Sequence, residues 1–161
     1  MASISVGLAE VKFSRTPGDI IVAHGLGSCV GVAIYDKINK LAGMIHIVLP
    51  DNAIQKGNIS PERFANSGIP ILIEKYKILG GNLFSSIIKI AGGSNMFKQQ
   101  TQSTVLDIGA RNVEAVLAAL KLENIVPHSK DVGGTNGRTF SIYVETGRIT
   151  SRMIGMQERD I

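Results

Sequence analysis

Cys29 and His46 are the two side chains in this sequence best suited to attack a substrate and move its proton. Cys29 is the single cysteine among 161 residues, and it follows the flexible run "GLGS". A free thiol has a pKa near about 8.5, and the thiolate is the attacking species. An adjacent imidazole can take the thiol proton and later give it to a leaving group. The glycines before Cys29 let the backbone bend and let a substrate come close. The amides of Gly27, Ser28 and Cys29 are then candidates to face a developing oxyanion.

Whether thiol and imidazole meet depends on a hairpin. "CVGVAIYD" and "LAGMIHIVL" flank "KINK", and both arms are rich in strand formers. An even turn, Lys37–Ile38 or Asp36–Asn39, pairs residues whose numbers sum to 75. Cys29 then lies opposite His46, Gly31 opposite Met44 and Ala33 opposite Ala42. The other face pairs Val30 with Ile45, Val32 with Gly43 and Ile34 with Leu41, so it points to the core. Opposed Cβ atoms lie about 4.5–5.5 Å apart, within thiol–imidazole reach. An odd turn breaks this register. The pattern alone leaves a second reading open, in which Cys29 is a small buried hydrophobe and His46 a satisfied core residue. His24 and His128 have weaker claims, the first in the loop and the second after Pro127.

Other chemistries find less support. Val30 stands where a dinucleotide-binding G-x-G-x-x-G would need glycine, and no phosphate-binding G-x-x-x-x-G-K-[ST] loop or H-E-x-x-H pair occurs. His24, Cys29 and His46 are a mixed ligand set without nearby carboxylates, so no metal site is expected. No cofactor is required by a thiol–imidazole mechanism.

The elements that must position these residues suggest an α+β domain spanning residues 1–161. "SISVGLAEVKFS" reads as one strand, bulged near Leu8 and Ala9, followed by a turn at "TPGD" and a short buried strand at "IIVA" (20–23). "SPERFANSGIPILIEKYKILGG" reads as a helix capped by Ser60, with Pro61 in its first turn and Gly80 at its end. Pro70 should kink or split it. "FSSIIKIAGG" returns to strand. "DIGARNVEAVLAALKLENI" places Val113, Val116, Leu117 and Leu120 on one helical face. "TFSIYVE" and "RITSRMI" form a second hairpin around "TG". "GGSNMF" (92–97) reads as a loop after a strand or a wall of a substrate cleft, with Gly92, Gly93 and Ser94 as candidate cleft residues. "GARN" (109–112) reads as the first turn of its helix, with Arg111 and Asn112 in structural hydrogen bonds.

Composition narrows the class further. Hydrophobic residues make up 44% and charged residues 19%, which argues for a folded domain. No apolar run approaches the roughly 18 residues that span a membrane, and the N-terminus lacks the pattern of a secretory signal. One cysteine suits a reducing, cytoplasmic setting. The net charge of +4 is scattered, and aromatics are only 5%, so no stacking platform for nucleic acid is evident. A mildly basic face suits an acidic protein partner instead.

Taken in order, "GLGSCVGVAIYD", "AGMIHIVLPD", "KIAGGSNMF", "IGARNVEAV", "DVGG" and "ETGRI" make the sequence similar to the chemoreceptor glutamine deamidase family, CheD. The similarity runs from about Gly7 to Ile154 and includes the Cys-to-His separation of 17. It implies hydrolysis of selected chemoreceptor glutamines to glutamates with release of ammonia. Cys29 falls on the family's nucleophile and His46 on its base. The resemblance also implies an α+β fold around a β-sandwich of mixed sheets flanked by helices, like that of deamidating toxins. Two partners are implied: the cytoplasmic helices of a chemoreceptor, and a CheC-type phosphatase of the response regulator. A non-catalytic adaptor that stimulates this phosphatase is the alternative role. An amine replacing water would give transglutamination. One departure stands out. The family often carries a catalytic threonine six residues before the cysteine, and here that residue is Ala23. A role for the threonine hydroxyl would be lost here. A role for the backbone carbonyl, which would orient the imidazole and is the one expected, is kept by alanine.

Overall fold

Two five-stranded sheets lie face to face, and two helices cover the outer face of one of them. The computed structural model describes residues 2–52, 57, 59–96 and 107–161. In chain order the strands are β1 (Ser3–Ser5), β2 (Val11–Ser14), β3 (Ile20–Leu26), β4 (Val30–Asp36) and β5 (Leu41–Ile47). They continue as β6 (Ser86–Gly92), β7 (Ser129–Val132), β8 (Arg138–Tyr143), β9 (Ile149–Met153) and β10 (Arg159–Asp160). Helices α1 (Ala65–Ile78) and α2 (Ile108–Leu122) sit on either side of β6 in the chain. The first sheet runs β1-β3-β8-β9-β10 and the second β2-β5-β4-β6-β7. Both are mixed: β1 lies parallel to β3 and β6 parallel to β7, while the other pairs are antiparallel. The expected sandwich of mixed sheets is present, with both helices on one side of it. None of the described helices is long and apolar enough to cross a membrane.

Strand β4 is the centre of the second sheet, and all seven of its residues are buried. Val30, Val32 and Ile34 face the helices, with Ile45, Ile47, Ile88 and Ile90 beside them. Ile69, Leu72 and Tyr76 of α1 and Val116 and Leu120 of α2 close over this surface. Ala33, Tyr35, Ala42 and Met44 face the other way, onto Ile21, Leu26, Phe140 and Ile142 of the first sheet. Each large aliphatic side chain buried here contributes about 1.5–3 kcal/mol.

The hairpin keeps the predicted faces but not the predicted register. Asp36 pairs with Leu41, Val32 with Ile45 and Gly31 with His46, so paired numbers sum to 77. Asp36 is the cause. Its Oδ1 accepts from the amides of Ile38 and Asn39, at 2.9 and 3.0 Å, and its Oδ2 accepts from Asn39 Nδ2 at 2.7 Å. These bonds fold Lys37–Lys40 into the turn, with Lys40 at φ 55°. A slip of two residues leaves every side chain on its face.

Two other expectations are corrected. "SISVGLAEVKFS" is two strands in different sheets, and the phase slip at Leu8 and Ala9 marks the crossing, with Ala9 at φ 60°. The helix after Ser60 does not break at Pro70. A 3-10 turn, Pro61–Arg63, precedes it, and Phe64 is extended at φ −108°, so α1 starts afresh at Ala65. Pro70 is exposed and lies inside the continuous α1, where its missing donor is tolerated. Ser60 makes no side-chain cap bond to this backbone. Gly80, at φ 93°, ends α1 as expected. Its amide bonds the Lys77 carbonyl, and that of Gly81 bonds the Tyr76 carbonyl.

Candidate active site

The loop carrying Cys29 is tied down through its carbonyls. The Gly27 carbonyl accepts from Ser94 N at 2.8 Å, that of Ser28 from Asn112 Nδ2 at 2.9 Å, and that of Cys29 from Gly93 N at 2.8 Å. In a trans peptide the N–H points opposite to the C=O. Anchoring the Gly27 and Ser28 carbonyls inward therefore turns the Ser28 and Cys29 amides outward. Neither amide meets an acceptor among the described residues. Gly27 serves through its carbonyl. Two outward amides beside a thiol form a candidate site for an oxyanion.

A cleft of about 180 Å³ opens beside this loop, lined by Ser28, Ser94, Asn95, Met96, Asp107, Ile108 and Gly109. The Ser94 hydroxyl is buried there without a partner among the described residues. Of the expected cleft residues, Ser94 lines this wall. Neither Gly92 nor Gly93 lines it; Gly93 N donates to the Cys29 carbonyl, and Gly92 packs closely against that oxygen. Phe97, the end of the "GGSNMF" run, lies outside the described residues. Gly109 lets α2 approach, because a Cβ there would lie 2.3 Å from the Ser94 carbonyl.

Gly31 stands directly opposite His46, so Cys29 is a diagonal neighbour on the same face rather than the facing residue. Diagonal positions lie roughly 7–8 Å apart, within reach of long side chains. His46 is 3% exposed. Its Nδ1 lies 2.9 Å from the Val6 carbonyl, and its Nε2 has no partner among the described residues. A carbonyl only accepts, so Nδ1 carries the proton and donates. Burial holds the imidazole below its ordinary pKa, opposed by the Val6 bond and the charge of Glu10. The neutral ring therefore presents a bare lone pair at Nε2, the form a general base needs.

The orienting carbonyl thus belongs to Val6. Neither ring nitrogen bonds the carbonyl of Ala23, which corrects the role expected for that residue. Ala23 is fully buried between the sheets and pairs with Phe140 just before a bulge in β3. Because Val6 already fixes the ring, Ala23→Thr should leave the turnover rate within about threefold, the cost falling on packing at about 1–3 kcal/mol. A tenfold gain in rate would show that a hydroxyl is needed here.

Burial pushes the Cys29 thiol up, and the positive charge of Arg63 opposes it. Both shifts favour the neutral forms of thiol and imidazole over a thiolate–imidazolium pair. Iodoacetamide alkylation of Cys29 should accordingly show a midpoint above the ordinary value of about 8.5. Arg63→Gln should move it higher. A midpoint below 7 would mean a preformed thiolate–imidazolium pair instead.

His24 is exposed on the open face of the first sheet, in a groove with Tyr143, Arg152 and Glu158. Among the described residues, no three His, Cys, Asp or Glu side chains come together to hold a metal. His128 bonds the amide of Ile88 through Nδ1 at 3.1 Å, a structural role. Sequence reasoning missed Arg63 and the Val6 carbonyl, which are distant from Cys29 and His46 in sequence and show no pattern. It saw Asn112 but not its partners.

Comparison with known proteins places the chain in a family. The model of the family described as CheD chemotactic sensory transduction matches residues 48–153. A relative from Symbiobacterium thermophilum, named "Probable chemoreceptor glutamine deamidase CheD", is 39% identical over 98% of this chain and 96% of its own. Namesakes from Clostridium botulinum and Clostridium tetani are 42% and 39% identical, over 95% and 97% of this chain and 94% of their own in each case. Among solved structures, the hypothetical protein YfiH of Bacillus licheniformis matches with a TM-score of 0.51 at 12% identity, over 78% of this chain and 51% of that one, a likeness of fold alone. With relatives this similar along nearly their full length, the chain belongs to the CheD family.

Proposed function

We propose that this chain hydrolyses the side-chain amide of selected glutamines on chemoreceptors, in the cytoplasm, to give glutamate and ammonia. The observation that carries the reading is the bare, unpartnered Nε2 of His46 on the strand face that continues to Cys29. The names of the relatives support the substrate class.

His46 Nε2 takes the Cys29 proton as sulfur bonds the carboxamide carbon. The carbonyl π pair moves to oxygen, which the Ser28 and Cys29 amides receive. The oxyanion collapses, the C–N bond breaks, and the Nε2 proton goes to nitrogen, which leaves as ammonia. Water then gives a proton to Nε2 and attacks the thioester. The C–S bond breaks, glutamate leaves, and the proton returns to sulfur. No metal or cofactor enters these steps.

Mass spectrometry of a receptor cytoplasmic fragment tests this. A gain of about one mass unit per modified glutamine is expected, since NH₂ becomes OH. No gain with the intact protein overturns the reading. Added primary amine distinguishes hydrolysis from transglutamination, because amine transfer would give a larger, amine-dependent gain. The resemblance further suggests a CheC-type phosphatase as second partner, which a pull-down examines. Binding without any mass change would favour the adaptor role.

A further inference from the structure

We propose that Asn112 is a positioning residue that fixes the nucleophile loop against the base strand through its side-chain amide. Its Nδ2 donates to the Ser28 carbonyl at 2.9 Å and to the Val48 carbonyl at 2.8 Å. Ser28 directly precedes Cys29, and Val48 follows β5, which carries His46. One nitrogen with two hydrogens thus spans the two segments whose separation governs proton transfer. The proposal rests on the thiol–imidazole mechanism given above.

Three features argue for positioning over packing. Asn112 is fully buried on α2, beside Val113 and Val116, where an aliphatic residue is the simpler choice. Its Oδ1 is buried without a partner among the described residues. An unsatisfied buried acceptor is destabilising. The orientation of the amide is also determined, because turning it over would set an oxygen against two carbonyl oxygens. The side chain therefore keeps a destabilising orphan in order to make two particular bonds. Helix α2 is itself well anchored. Asp107 caps it by accepting from Ala110 N at 2.9 Å, and Gly109 allows its close approach to Ser94. Rigidly held, it carries the amide to one place.

The test compares variants of the full chain by ammonia release from a receptor fragment. Asn112→Asp keeps the shape and removes both donors. It should lower kcat by about 100-fold with KM within about threefold, the loss expected when catalytic groups shift by about 1 Å. Val116→Ala, one turn along the same helix, should leave kcat within about twofold although it destabilises the core. Asn112→Asp keeping kcat within threefold overturns the proposal, as does a loss that falls on KM or an equal kcat loss in Val116→Ala. A Cys29→Ala protein that still releases ammonia overturns the underlying mechanism, and the clamp with it. If Asn112→Asp does not fold, the unaltered protein decides by NMR. Both side-chain amide protons of Asn112 should exchange at least tenfold slower than those of an exposed asparagine. Fast exchange of either one overturns the clamp.

Discussion

Exchanging His46 for asparagine is expected to lower kcat for ammonia release by about 10³-fold, within the range of 10²–10⁴ that positioned general acid–base groups supply. Asparagine is the informative replacement. Its amide can still donate to the Val6 carbonyl that now binds Nδ1 at 2.9 Å, so the local backbone keeps its partner. What disappears is the free Nε2 lone pair. Without it, the thiol, which burial pushes up, has no acceptor for its proton. The pH profile supplies the second half of this prediction. His46 must be neutral to act as base, and burial lowers its pKa. The acid limb of kcat/KM should therefore inflect below the ordinary imidazole value of about 6.5 and fall tenfold per pH unit beneath it. At the alkaline end, ionisation of the thiol should begin to replace the base only above about pH 8.5. In His46→Asn the acid limb should vanish and the residual rate should rise with pH, following the thiolate. A loss smaller than tenfold, or an unchanged acid limb, would mean that another group takes the proton.

The legible and illegible parts of this molecule divide along physical lines. Alternation in β4 and β5 determined which residues face the helices, because a strand has only two faces. Register was a separate matter. It depended on which oxygens of Asp36 captured which amides in the turn, and several even turns satisfy the same alternation. The difference matters at the site, since it moved Cys29 from facing His46 to lying diagonal to it. The cysteine, the histidine and the glycine loop stood out because their residue types are rare or conformationally special. Val6 did not, and Asn112 stood out only as a maker of structural hydrogen bonds. Val6 acts through a backbone carbonyl, which every residue owns, and reaches His46 only because the chain crosses between sheets at Leu8 and Ala9. Asn112 sits in a helix whose apolar spacing is clear, but its partners are 84 and 64 residues away. Helix α1 shows the converse error. The local rule marked Pro70 as a kink or a split, yet packing of Ile69, Leu72 and Tyr76 against the sheet keeps the helix unsplit through it.

Gly92→Ala should be the most damaging single-methyl addition near the site. Gly92 ends β6 at φ 114°, a conformation that strains any residue with a Cβ by about 1–3 kcal/mol. Sterics add to this. A Cβ there would lie 2.2 Å from the Cys29 carbonyl oxygen and 3.2 Å from Val30 Cα. Both are backbone atoms, so no side chain can swing aside. The Cys29 carbonyl would have to retreat by about 1 Å to reach ordinary contact. That motion would stretch its bond from Gly93 N, now 2.8 Å, and displace the Cys29 backbone that carries the thiol. Gly155 provides the control. It has φ 77° in the turn before β10, and a Cβ there would meet nothing within 4 Å. Gly155→Ala should therefore cost only the backbone strain and leave kcat within about twofold. Gly92→Ala should lose at least about 2 kcal/mol more in urea unfolding and, where folded, about 100-fold in kcat, the penalty of a displaced nucleophile. Equal behaviour of the two variants would mean that the Cys29 loop yields freely to the added methyl. The carbonyl anchoring of the loop would then not be what holds the thiol in place.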